Sequence, residues 1–238
     1  MSERETWATR PGFVLAAIGS AVGLGNLWQF PFKTATNGGA AFVAFYLVAV
    51  VLIGFPAMLA EFVLGRRTNV NAVDAFAKLG HRKWRATGAL AVLTGFWILS
   101  YYNVVGGWVL RYILGSARGA YFADPAGYFG AVSSGPEAVL AQALFLTLVV
   151  GIVALGIEDG IEAATKLMVP SILVLMVGLA VWVTTLPGAG AGYDFFLSPD
   201  LNSMVANAGS IIPFAVGQAF FTLSLGMAIM VTYSSYVG

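Results

Sequence analysis

Six runs of 20–33 mostly apolar residues dominate this chain and limit what it can become. They are Gly12–Phe32, Ala41–Leu64, Ala86–Leu114, Ala138–Ile157, Leu167–Leu186 and Met204–Tyr236. A bilayer core is about 30 Å thick, and an α-helix of about 20 residues crosses it. The runs are too long for barrel strands and show no strand alternation. Inside lipid every peptide group needs an internal partner, so each run reads as a helix. Composition agrees: 10% of the 238 residues are charged, whereas a soluble domain carries about 25%. The expected fold is an all-α, polytopic membrane protein with six transmembrane helices in one transmembrane domain over residues 1–238. Residues 1–11 form a polar tail, and no cleavage site follows a short apolar core, so no removable signal peptide is read.

Lysine and arginine set the expected orientation. Arg4, Arg10, Arg66, Arg67, Lys78, Arg82, Lys83, Arg85 and Lys166 fall on one side, and Lys33, Arg111 and Arg118 on the other. The excess places the N-terminus in the cytoplasm of a multi-pass cell-membrane protein. Trp7, Trp84 and Trp182 lie near span ends, where amphipathic rings favour the interface.

The same residues exclude several chemistries. There is no cysteine, hence no disulfide, thiolate metal site or cysteine nucleophile, and the single histidine, His81, lies in a basic loop. The polar residues at mid-span are amides and hydroxyls, without a base–nucleophile set, so the chain does not read as an enzyme. No charged ring or carbonyl-filter sequence suggests a channel. Nothing points to nucleic acid.

Two runs carry an internal contradiction. GSAVGLGN, Gly19 to Asn26, puts three glycines in the middle of the first span. Each lowers helical stability by roughly 1 kcal/mol relative to alanine. GQAFFTLSLGMA, Gly217 to Ala228, sets Gln218, Thr222, Ser224 and Gly226 inside the sixth. Irregular backbone at membrane depth survives only when packed in protein or lining a polar cavity. Both stretches are candidate breaks, and paired breaks point to a transporter binding site. A break frees N–H groups that attract a carboxylate and carbonyls that coordinate a small cation. Neutral oxygens of Asn26 and Thr222 suit a monovalent ion. Two readings stay open at this level. Gly19 and Gly23 also fit a GxxxG packing face, and Thr222 and Ser224 also fit hydroxyls bonded to their own helix. A dinucleotide-binding reading of the glycines fails, because no strand precedes them.

RETWATR, GSAVGLGN, FP, NGGAAF, GFPAMLAEF and VGQAFFTLSLG followed by TYSSY resemble the neurotransmitter:sodium symporters. The likeness is to the prokaryotic amino-acid branch, similar to the bacterial leucine transporter, and runs from about Arg4 to Tyr236. It implies the first half of a leucine-transporter-type inverted-repeat fold with spans one and six discontinuous. It implies sodium-coupled symport of a neutral, apolar or aromatic amino acid by alternating access. By the resemblance, Gly19 and Val22 give carbonyls to one sodium ion; Ala21, Asn26 and Thr222 ligate the other. The backbone of Ala21, Gly23, Leu24 and Gly25 and the hydroxyl of Tyr102 hold the substrate carboxylate. Phe221 is the lid; the carbonyls of Phe221 and Thr222, with Ser224, receive the amino group; Ile98 and Met227 line the side-chain pocket. An aspartate stands at position 23 in monoamine-transporting relatives, so Gly23 leaves room for a substrate bearing its own carboxylate. Arg4, Trp7, Ser235 and Tyr236 match inner-gate residues, and GIEAATKLMVP matches a glycine–proline spacing linked to unwinding of that gate. Tyr46 and Gln218 match chloride-site positions, but later residues of the family chain decide chloride dependence, so chloride stays open. Glu61 is assigned no transport role.

Two departures qualify this picture. Gln29 stands where the family carries its outer-gate arginine, and Lys33 follows one turn on, which puts the outer gate in doubt. The family also has about twelve spans, and the later ones complete both sodium sites. The chain is therefore expected to be a fragment or one half of a split transporter, partnered by the missing half. The alternative is a non-transporting scaffold or regulatory half that binds a full-length relative.

Overall fold

The computed structural model describes residues 5–237. Among these residues the chain is helical, with no strand. Six apolar spans are present when the bent first one is counted once.

Span one begins at α1 (Arg10–Ala21). Its N-cap is Thr9, whose hydroxyl accepts from the Gly12 N–H at 3.0 Å, and Pro11 sits where its missing N–H costs nothing. The helix ends at Val22, whose ψ of 72° turns its carbonyl out of the helical direction. A π-helical turn at Gly25–Gln29 then leads into α2 (Phe30–Thr36). The two halves are bent by 45°. Span two joins α3 (Ala40–Ala49), a π turn (Val50–Gly54) and α4 (Phe55–Thr68). The π turn lies just before Pro56, which supplies no N–H and crowds the carbonyl four residues back.

A short α5 (Ala72–Lys78) leads to span three, α6 (Arg85–Arg118). After α7 (Pro125–Ser133), span four is α8 (Gly135–Ala154). None of its residues is buried, as suits an apolar helix facing lipid. Span five starts at Ile157 with a π turn (Ile157–Glu162) that runs into α9 (Ala163–Thr184). The sequence had suggested a loop up to Lys166 and a start at Leu167. Glu162, within this stretch, finds its partners inside the protein.

After α10 (Ala189–Leu197), span six divides into α11 (Leu201–Thr222) and α12 (Ile229–Ser234). Between them Ser224, Gly226 and Ala228 all have positive φ, at 54°, 71° and 63°. A non-glycine residue there is strained, and two so close together mark a backbone held by its surroundings. Both interruptions read from the sequence are thus real breaks. α1 packs on α9, α11 on α3 and α12 on α4, which brings the two breaks face to face with α6 beside them.

Candidate functional site

The breaks enclose a cavity of about 450 Å³, within the usual range of small-molecule sites, ~300–1,000 Å³. Gly19, Ala21, Gly23, Gly25, Asn26, Ile98, Tyr102, Phe221, Ser224 and Met227, all expected at the site, line it. Ser20, Gly95, Leu99 and Ile229 join them. The wall is mostly apolar, and its polar groups gather where the helices come apart.

At one end the Tyr102 hydroxyl lies beside the backbone amides of Leu24 and Gly25. These N–H groups lie at the break, so they have no partner within α1. Position 23 has no spare room: a Cβ there would stand 2.6 Å from the Tyr102 oxygen. Gly25 is buried under the Phe221 ring, which a Cβ would overlap. Tyr102, Phe221 and Gly25 also border a second cavity of about 330 Å³ that holds Trp28, Gln29 and Trp108. Phe221 therefore stands at the boundary between the two spaces. The Leu24 side chain turns away into a separate apolar cavity with Trp108 and Tyr112.

At the other end neutral oxygens converge. Asn26 Oδ1 accepts from Thr222 Oγ1 at 2.9 Å and from Gln218 Nε2 at 3.1 Å, while Asn26 Nδ2 donates to the Ala21 carbonyl. Ala21, Asn26 and Thr222 thus come together across two spans, although Thr222 itself does not line the cavity. Carbonyl, amide and hydroxyl oxygens are hard neutral donors that fit a small monovalent cation. No cluster of three or more acidic, histidine or cysteine side chains lies together among the described residues. Gly19 sits against span five, where a Cβ would lie 3.0 Å from a Val169 methyl. Val22 keeps a hydrogen bond from its N–H to the Ile18 carbonyl at 2.8 Å.

The structure adds contacts that the sequence did not disclose. Ser20 and Ser224 share a hydrogen bond between their hydroxyls at 2.8 Å, tying one break to the other. Glu61 reaches from span two to the break in span six, where its carboxylate accepts from the Gly226 N–H at 2.8 Å. From the sequence Glu61 carries no assigned role; the fold gives it this contact. Lys33 donates to Oε1 of the fully buried Gln218 at 3.1 Å, so its charge turns toward the Asn26–Thr222 cluster, while Gln29 lines the second cavity. No periodicity in the sequence could announce these pairs, because each joins residues more than 150 positions apart.

At the far end of the bundle Trp7 is buried. Its indole donates to the Tyr233 carbonyl at 2.8 Å, and its backbone N–H donates to that of Tyr236 at 3.2 Å. An interface anchor would sit exposed, as Trp84 and Trp182 do. Ser235 is buried beside this contact, with its hydroxyl on the Thr232 carbonyl. Arg4, the other residue expected there, lies outside the described residues.

This geometry has close counterparts. Residues 4–121 and 133–238 match the sodium:neurotransmitter symporter family model. The sodium-dependent transporter YhdH of Bacillus subtilis is 42% identical over the whole chain, which covers 54% of it. The human sodium-dependent neutral amino acid transporter SLC6A17 is 27% identical over 98% of the chain, which covers 36% of it. The crystal structure of MhsT in complex with L-phenylalanine superposes with a TM-score of 0.90 at 45% identity, over 99% of this chain and 54% of that one. The chain spans about half the length of the bacterial relatives and solved structure that it matches. Two spans broken at mid-depth, a glycine-lined cavity between them and a family match over nearly every residue agree, and the chain belongs to the sodium:neurotransmitter symporter family, whose members are transporters and not enzymes.

Proposed function

We propose that this chain supplies the substrate cavity and part of the sodium ligands of a symporter for a neutral, apolar or aromatic α-amino acid. The observation that carries the reading is the arrangement at position 23. There a glycine stands against the Tyr102 hydroxyl, which lies beside the Leu24 and Gly25 amides, and Gly23, Gly25 and Tyr102 line one apolar cavity. Such donors hold a carboxylate that the substrate brings with it. The amino group goes toward Ser224 and the carbonyls of Phe221 and Thr222, and the side chain lies against Ile98 and Met227. Methionine adapts to varied shapes.

Ala21, Asn26 and Thr222 ligate one sodium ion, and Gly19 and Val22 give carbonyls to a second. A carboxylate beside the first ion strengthens its binding, and the ion strengthens that of the carboxylate; this reciprocity couples the two fluxes. Further ligands come from a second set of spans of the kind the relatives carry outside the matched half. Gln218 and Tyr46 stand where a chloride ion is held in the family, without deciding whether one is needed. The N-terminus faces the cytoplasm, on the strength of the lysine and arginine distribution.

The test is a fusion of this chain to the part of the Bacillus subtilis relative that it does not cover, reconstituted in lipid vesicles. Tritiated L-phenylalanine or L-leucine should bind in sodium and not in potassium, and phenethylamine, which lacks the carboxylate, should not compete. Binding that ignores sodium, or equal competition by the bare amine, would overturn the reading.

A further inference from the structure

Glu162 is fully buried, yet it is absent from every role described so far. Its carboxylate is held from three directions. Oε2 accepts from the Ala8 backbone N–H at 2.8 Å, and Oε1 accepts from the Thr9 hydroxyl at 2.7 Å. The Lys166 ammonium pairs with Oε1 at 2.7 Å from one turn along the same helix. The carboxylate lies so close to the first turn of α1 that a Cβ on Gly12 would overlap it. Removing a partner from a buried charge is far more damaging than losing an exposed pair, so this contact outweighs the surface ion pairs.

The surrounding contacts make residues 5–9 a strap. Glu5 Oε2 accepts from the Ile157 N–H at 3.0 Å, and Trp7 is bonded to the Tyr233 and Tyr236 carbonyls. The strap therefore bridges the starts of spans one and five and the end of span six. Thr9 serves twice, as N-cap of α1 and as donor to Glu162, so span five holds the residue that starts span one. Glu162 itself ends a π turn that opens at Gly156, where φ is 88°. Such turns are less stable than the α-helix around them and concentrate at working parts of proteins. Lys166 stays beside Glu162 whatever the strap does, because both ride on one helix. A released carboxylate keeps one partner.

We propose that Glu162 is a latch: it clamps the strap across spans one, five and six, and its release frees this end of span one to move. The inference goes beyond the transport reading and holds whichever solute is carried.

The absence of native cysteine allows a direct test. Val169 is buried in span five against Gly19 of span one, so a single Val169→Cys reports when the two part. Val132, buried in α7 and outside the strap, gives the control Val132→Cys. Each is placed in the full chain in lipid nanodiscs and alkylated with a small maleimide. Adding Glu162→Gln should speed alkylation at position 169 about tenfold, the shift expected from losing one charge-assisted hydrogen bond, and leave position 132 unchanged. Thr9→Val should act in the same direction and Thr9→Ser should not, which keeps the test open if Glu162→Gln fails to fold. Unchanged labelling at 169 in both Glu162→Gln and Thr9→Val, or equal acceleration at 169 and 132, overturns the latch.

Discussion

Gly23→Ala tests the cavity most sharply, because its effect can be worked out from one distance. The new methyl would lie 2.6 Å from the Tyr102 hydroxyl oxygen, where ordinary contact begins at 3.4 Å. The tyrosine, or the backbone of the break, must give by about 0.8 Å, the difference between those two distances. Tyr102 is hemmed by Ile98, Leu99 and the Phe221 ring on one side, and any retreat carries its hydroxyl into the cavity. Overpacking of this kind costs roughly 1–3 kcal/mol. A shift of the hydroxyl also takes it from the Leu24 and Gly25 amides, where the substrate carboxylate is proposed to bind. Amino-acid affinity in the fused transporter should fall by about five- to 150-fold, the range that those energies give. Thermal unfolding of the 238-residue chain itself should shift down by about 2–4 °C per kcal/mol. The decisive measurement is a double-mutant cycle with Tyr102→Phe. If the hydroxyl is what the methyl meets, Gly23→Ala should add little once that oxygen is gone, with a coupling of at least about 1 kcal/mol. Strict additivity of the two changes would refute the argument, and the glycine would then be present for backbone freedom alone.

Three further outcomes follow from the same geometry. Asn26→Ala removes the acceptor shared by Thr222 and Gln218 and leaves the buried Gln218 amide short of a partner; it should cost about 1–3 kcal/mol of stability and raise the sodium concentration needed for half-maximal amino-acid binding by at least about tenfold, read by sodium titration. Glu61→Ala strips the Gly226 N–H of its acceptor at the span-six break and should destabilise the chain by about 1–3 kcal/mol, whereas Leu59→Ala, exposed on the same helix, should shift the melting midpoint far less. Trp7→Ala empties a buried site and breaks the bond to the Tyr233 carbonyl; a loss of about 3–5 kcal/mol is expected, checked by thermal unfolding and by faster proteolysis of the N-terminal segment.

The sequence by itself determined a good deal. Runs of about twenty apolar residues leave a chain no option but helices across a bilayer, because lipid offers no partner to a peptide group. Glycines and small polar residues at mid-run marked where two of those helices fail, at Val22–Leu24 and at Leu223–Ala228. Local signals of this kind are legible because backbone preference acts over a few residues. The extent of span five was not legible: three acids and a lysine between Glu158 and Lys166 read as a loop, yet the helix begins at Ile157. Only the fold decided that Glu162 is buried against residues 8 and 9, that Lys33 turns to Gln218 and that Glu61 meets Gly226. A buried charge or a lone backbone N–H is costly unless a partner stands within about 3 Å. Spacing along a chain does not say which distant residue that will be, and the packing of spans one, five and six does.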